Sequence, residues 1–258
     1  MGQFDQTARP IAKLDGAAFL EWALSCVPRP PRLAFLRWDD THRLVVPGEP
    51  DRTNDAVMEV RDEAVPGRQA WLVAEFEDEA EPGICWRLGQ YGTILGEEVN
   101  PSCDPEGPAV CTLVVNLSGS QKTRRVKPAF RGYGTGIHPL VVDVAAHDAL
   151  RTLKRIEKGA LGLTILPFCA LMEGNAAPGF HDRWKRAVER VEDPAIRRSF
   201  REWAVILSEL AGTSVQWLKA MEGWMERKST IIEGWLKEGR EDGAVLARRS
   251  SLLEYIEA

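Results

Sequence analysis

Three carboxylates stand where two neighbouring strands are expected to meet at an edge. Asp55 opens the apolar segment 55–60, and Glu75 and Glu77 close the segment 70–77. Strand periodicity of two puts Glu75 and Glu77 on one face, roughly 6–7 Å apart along the chain. If the two segments pair as a hairpin, Asp55 lies beside them. Carboxylates crowded at one sheet edge repel one another, and each favours its protonated form unless a cation sits between them. A few hard oxygen ligands suit Mg²⁺ or Mn²⁺, which keeps several waters and takes a substrate phosphate. Such an ion lowers the pKa of a bound water and neutralises the charge that develops in phosphodiester hydrolysis. The plainer reading of the same residues is a solvated acidic strand end, since charged residues mostly sit outside. Against it, Glu75 follows Trp71-Leu72-Val73-Ala74 and so emerges from a buried strand, and Asp55 likewise leads into one.

The elements that must position these groups can be read from patterning. Ala17, Ala18, Leu20, Ala23 and Leu24 follow helical spacing after Asp15, a suitable N-cap, and Pro28, Pro30 and Pro31 end that helix. Residues 47–54 read as a polar turn. Pro66-Gly67 is the turn between the two carboxylate-bearing strands. Residues 84–95 read as a helix with Trp86, Leu88, Tyr91 and Leu95 as candidate buried positions. Residues 109–117 form a strongly apolar strand, of the type covered on both faces, and 140–145 another. Beyond residue 148 the texture is helical, over 148–157, 179–191, 194–211 and 214–228, with the apolar segment 162–168 between. Glycines at 234, 239 and 243 make the tail a weak, exposed helix. The expected fold class is α/β: a small mixed β-sheet flanked by helices, with a helical C-terminal region. The expected divisions are 1–148, 149–228 and 229–258.

Several blocks together resemble the PD-(D/E)XK nuclease superfamily, in particular its recombination-promoting nuclease or transposase-like branch. Thr53-Asn54-Asp55-Ala56-Val57 resembles the acid that precedes an apolar strand. Trp71 to Glu77 resembles the strand ending in E-x-Q or E-x-K. Cys85-Trp86-Arg87-Leu88-Gly89-Gln90-Tyr91 is similar to the R-L-x-x-Y helix that follows, and 110–119 to the next core strand. Residues 162–167 are similar to the G-L-x-x-L-P segment, and 229–243 to the family's C-terminal helix with spaced glycines. The resemblance implies a restriction-endonuclease-like core and Mg²⁺- or Mn²⁺-dependent hydrolysis of DNA, linked to recombination or mobile elements. It implies Asp55, Glu75 and the carbonyl of Phe76 as metal ligands, with Asp55, Glu75 and Glu77 as the catalytic set. Glu77 stands where the family usually carries Lys or Gln. A glutamate supplies no positive charge; it binds a second cation, acts as a base, or marks a degenerate site. The alternative function is therefore an inactive nuclease relative that binds nucleic acid or a protein partner. By analogy alone, a homodimer is expected.

Arg87 and Tyr91 lie four apart on the expected helix and share a face, from which they approach substrate phosphate or brace the acids. Between residues 119 and 142 the sequence carries Lys122, Arg124, Arg125, Lys127 and Arg131 and no acidic residue until Asp143. That is either a basic loop for DNA phosphates or an ordinary solvated strand edge. Lys154, Arg155 and Lys158 read as a helix surface.

Composition limits the rest. The 258 residues carry 33 Lys+Arg against 38 Asp+Glu, a net charge of −5, with 44% hydrophobic residues. This is globular composition, and it excludes a disordered chain or a strongly basic coat protein. No apolar run reaches membrane-spanning length, and residues 1–5 do not read as the start of a secretory signal. Five scattered cysteines without C-x-x-C spacing point to a reduced, cytosolic protein. Gly132 to Gly136 lacks the G-x-G-x-x-G spacing of a dinucleotide fold, no G-x-S-x-G elbow occurs, and the four histidines are too far apart for a zinc motif. The tryptophans of the helical half read as core or interface anchors.

Overall fold

The computed structural model describes residues 3–40, 45–46, 49–53, 56–78, 83–104, 106–118 and 139–224. Asp55, the basic residues Lys122, Arg124, Arg125, Lys127 and Arg131, and the glycine-spaced tail lie outside the described residues. The chain divides into two compact units, Met1–Ala220 and Met221–Ala258. The sheet and the helices that flank it belong to the first unit.

Two helices open it, α1 (Gln3–Leu14) and α2 (Gly16–Ser25). The side chain of Asp15 caps α2 by accepting from the Ala18 amide at 2.9 Å, as the sequence predicts. Strand β1 (Leu33–Trp38) comes next, then the small hairpin β2 (Val45–Val46) and β3 (Glu49–Thr53), where the sequence suggests a polar turn. After it come β4 (Ala56–Asp62), β5 (Gln69–Glu77), α3 (Ile84–Val99), β6 (Ala109–Asn116) and β7 (Leu140–Asp143). Among the described residues the main sheet has the order β1-β4-β5-β6-β7. β1–β4 and β4–β5 are antiparallel, and β5–β6 and β6–β7 are parallel. The α/β class with a mixed sheet between helices is therefore the observed one.

The β4–β5 hairpin turns at Gly67, whose φ of +79° a side chain would resist. Its register pairs Ala56 with Ala74 and Val60 with Ala70. Side chains alternate from there. Val57, Val73 and Val114 face α3 and pack on Ile84, Leu88, Tyr91 and Leu95. Trp86 is the exception to the expected helical core: it is 57% exposed. Ile84, Leu88, Tyr91 and Leu95 repeat at three- and four-residue intervals and take the inward face, and Trp86 falls two residues after Ile84, on the far side.

The other face of the sheet packs on α1 and α2, which in turn meet a run of three-ten turns, Leu163–Leu171. Phe76 meets Phe19 at 5.8 Å between ring centroids, and Trp22 stacks on Phe168 at 5.1 Å. Thus the helical segments after β7 share a core with the N-terminal helices. These segments are α4 (Ala149–Glu157), α5 (Phe180–Val188), α6 (Pro194–Leu210) and α7 (Ser214–Met221). Asp148 and Asp193 cap α4 and α6 through their side chains. Trp184 and Trp217 are fully buried and meet edge to face at 5.0 Å, so both act as core anchors. Among the described residues, no helix is long and apolar enough to cross a membrane.

His181 packs edge to face against Trp217 at 4.8 Å, and its buried Nε2 has no hydrogen-bond partner among the described residues. Burial, with some help from Lys185, holds its pKa below the ordinary histidine value, against the opposing pull of Asp182. The unfolded chain then takes up a proton more readily than the folded one. Stability from this group is complete above the ordinary value of about 6.5 and is lost as pH falls through that range. Urea denaturation at pH 7.5 and 5.5 is expected to show a drop in unfolding free energy at the lower pH. The drop should be smaller in His181→Phe.

Candidate active site

The carboxylates expected at the end of the second strand are there. Glu75 and Glu77 are the last odd-numbered residues of β5, and they share the face of Trp71 and Val73, the side covered by α3. Both are buried, at 2% and 8% exposure. Isolated charges in such surroundings are costly. Here α3 answers them. Its first turn carries Arg87, whose amide donates to the Gly83 carbonyl at 3.1 Å. The Nη2 of Arg87 lies 3.4 Å from the Glu75 Oε2 and donates to the Glu77 Oε1 as well. One guanidinium is shared between two carboxylates, so Arg87 braces the acids, one of the two roles its position implies. Tyr91, one turn on, is fully buried within the cluster beneath α3 and holds the helix against the sheet. The ring of Phe76 points to the opposite face, against Phe19. The residue after Asp55, Ala56, pairs with the residue before Glu75, Ala74.

Two polar residues that sequence reasoning does not single out join the row. The parallel register pairs Glu77 with Asn116, and Asn116 with Asp143. Alternation then sets all three on the α3 side, at the carboxyl ends of three parallel strands. Asn116 is fully buried, and its Oδ1 accepts from the amide (3.2 Å) and the hydroxyl (2.9 Å) of Ser118. Asp143 ends β7. It favours the charged form of His147, yet burial outweighs it and leaves the His147 pKa below the ordinary value. At the same edge, just past β1, the amide of the buried Asp39 donates to the Val57 carbonyl at 2.8 Å. The signal in the sequence is an apolar run that stops at a polar residue, as in Leu-Val-Val-Asn and Leu-Val-Val-Asp. It is the same signal that marks Glu75 and Glu77.

An open α/β sheet binds ligands outside the carboxyl ends of its parallel strands, which is where this row lies. The donor chemistry suits a hard divalent cation: Glu75 and Glu77 offer carboxylate oxygens on one face, and Asp143 another in the same register row. Among the described residues, no three His, Cys, Asp or Glu side chains gather closely enough to hold an ion by themselves. No protein-family model, curated protein or solved structure matches this chain.

Proposed function

We propose that the chain is a metal-dependent nuclease-like protein that hydrolyses phosphodiester bonds of DNA at the carboxyl end of β5. The observation that carries this reading is the burial of Glu75 and Glu77 side by side on one strand, in contact with the Arg87 guanidinium. A cation is electrostatically favoured between two such carboxylates. Mg²⁺ is commonly held by one or two protein carboxylates together with waters and substrate phosphates, so the β5 pair is a sufficient anchor. Glu75 and Glu77 would hold the ion, with Asp55 as the third acid implied by the family resemblance. When bound, the ion would supply an activated water and neutralise charge on the phosphate. Arg87 fixes the orientation of both carboxylates, and with one of them turned to a cation its guanidinium is placed to meet a phosphate oxygen. The buried cluster around Tyr91 keeps α3, and so Arg87, at a fixed height above the sheet.

The neighbouring Trp86 fits the same reading. Its exposed ring precedes Arg87 on the first turn of α3, and an exposed indole offers a stacking platform for an unpaired base. Stacking of this kind contributes about 1–3 kcal/mol per base, so Trp86→Ala is expected to weaken binding of a single-stranded oligonucleotide by roughly 5- to 150-fold. Fluorescence anisotropy measures it, and unchanged affinity would remove Trp86 from the binding surface.

Two observations favour a second reading, an inactive relative that binds nucleic acid or a protein partner. Arg87 already satisfies both carboxylates, and Glu77 stands where the resembled family carries Lys or Gln. The two readings separate in one assay: purified protein with plasmid DNA and Mg²⁺ or Mn²⁺, beside Asp55→Ala and Glu75→Ala. Metal-dependent nicking that both substitutions abolish supports hydrolysis. DNA binding without cleavage supports the second reading.

A further inference from the structure

We propose that a second pocket, apart from the carboxylate row, binds a small organic cation: an alkylammonium or guanidinium group on an apolar stem. The pocket is a cavity of about 500 Å³ between the end of the Leu163–Leu171 turns, residues 172–177 and the C-terminal end of α6. That volume is of the order of small-molecule sites. Leu171, Met172 and Leu210 make its apolar wall.

Two hydroxyls stand among the polar groups of its rim. Thr213 Oγ1 donates its proton to the Ser208 carbonyl at 3.4 Å, and Ser118 Oγ donates to Asn116 Oδ1 at 2.9 Å. The Thr213 hydroxyl, its proton spent, keeps oxygen lone pairs as acceptors on this rim. Glu173 is exposed, and among the described lining residues it is the one that carries a charge. Acceptors and a carboxylate over apolar walls select a group rich in N–H donors with methylenes behind it. An inorganic anion would meet a like charge instead.

The backbone that presents Glu173 is held on both sides. Its amide donates to the His147 carbonyl and its carbonyl accepts from the Ala149 amide, each at 2.9 Å. Beyond it, Gly174 turns with φ of +79°. The buried Asn175 then closes the turn: its Nδ2 donates to the Met172 carbonyl at 2.9 Å, and its Oδ1 accepts from Trp217 Nε1 at 3.2 Å. The backbone beneath this carboxylate therefore needs little ordering on binding. Glu75, Glu77 and Arg87 do not line it, although its Ser118 hydroxyl reaches Asn116 of the carboxylate row.

Calorimetric titration of the full chain with n-butylguanidinium, and with an N-acetyl-arginine amide, tests the proposal. Saturable binding at millimolar concentration or below is expected. Glu173→Gln should weaken it about tenfold or more, since a charge-assisted contact is lost. Ala176→Phe, which fills the cavity without changing charge, should abolish it. Glu75→Gln should leave it unchanged. Tighter binding of the free guanidinium would point to a metabolite, and tighter binding of the arginine amide to an arginine on a peptide. Absence of binding by the wild-type chain, equal binding by Glu173→Gln and Ala176→Phe, or preferential binding of inorganic phosphate would overturn the assignment.

Discussion

Glu75→Gln is expected to lower Mn²⁺-dependent cleavage of plasmid DNA by about a hundredfold or more, with the fold intact. Glutamine has the shape of glutamate and keeps an oxygen for Arg87 Nη2, which lies 3.4 Å from Glu75 Oε2. What it loses is the negative charge that would hold the cation. A metal ion supplies several kcal/mol of transition-state stabilisation, and each 1.36 kcal/mol is tenfold in rate, which sets the size of the loss. Glu77→Gln should act in the same direction. If both glutamates serve one ion, the double substitution will cost little more than either single one, because groups that act as a unit are not additive. Circular dichroism and the thermal midpoint should stay near wild type in both. Cleavage that persists in Glu75→Gln would place the chemistry elsewhere on the chain.

The largest effect on stability is expected far from that edge, at Trp184→Ala. The ring is fully buried, packs edge to face on Trp217 at 5.0 Å, and donates through Nε1 to the Leu166 carbonyl at 2.8 Å. Truncation leaves a cavity and takes away a buried donor at once. Replacing a core Trp with Ala costs about 3–5 kcal/mol. For a unit of this size, roughly 2–4 °C per kcal/mol turns that into a fall in Tm of about 6–20 °C. Urea denaturation measures it directly. Trp86→Ala is the internal comparison: its ring is mostly exposed, so its cost should be well below that of Trp184→Ala. A cost below about 1 kcal/mol at Trp184 would mean that α5 is not anchored through this ring.

Local signals in the sequence carry much of this architecture. Pro66-Gly67 between two apolar runs announces the β4–β5 hairpin, and with it the placement of Glu75 and Glu77 on one face. The i, i+4 spacing of Arg87 and Tyr91 puts both on the sheet side of α3, where one braces the acids and the other fills the core. Trp86 departs from the expected core because residue type favours burial of a large aromatic, whereas its angular position, two residues from Ile84, turns it outward. The opening helix α1 is not legible in the sequence, since Pro10 inside it reads as a breaker. Asn116 and Asp143 end apolar runs as Glu75 and Glu77 do, yet their place beside Glu77 is not legible. Their alignment with Glu77 depends on parallel register, which is set by the crossover between strands rather than by any local pattern. The short β2–β3 hairpin falls in a stretch whose Pro, Gly, Asp and Asn suggest a turn, and pairing there owes nothing to strand propensity.

The proposed hydrolysis at the end of β5 would require Glu75 and Glu77 to trap a divalent cation, and calorimetric titration of Mn²⁺ into the full chain addresses that most directly. Saturable binding that weakens strongly in both Glu75→Gln and Glu77→Gln is the expected result. Absence of binding at millimolar Mn²⁺, or binding by Glu75→Gln equal to that of the wild-type chain, would contradict it.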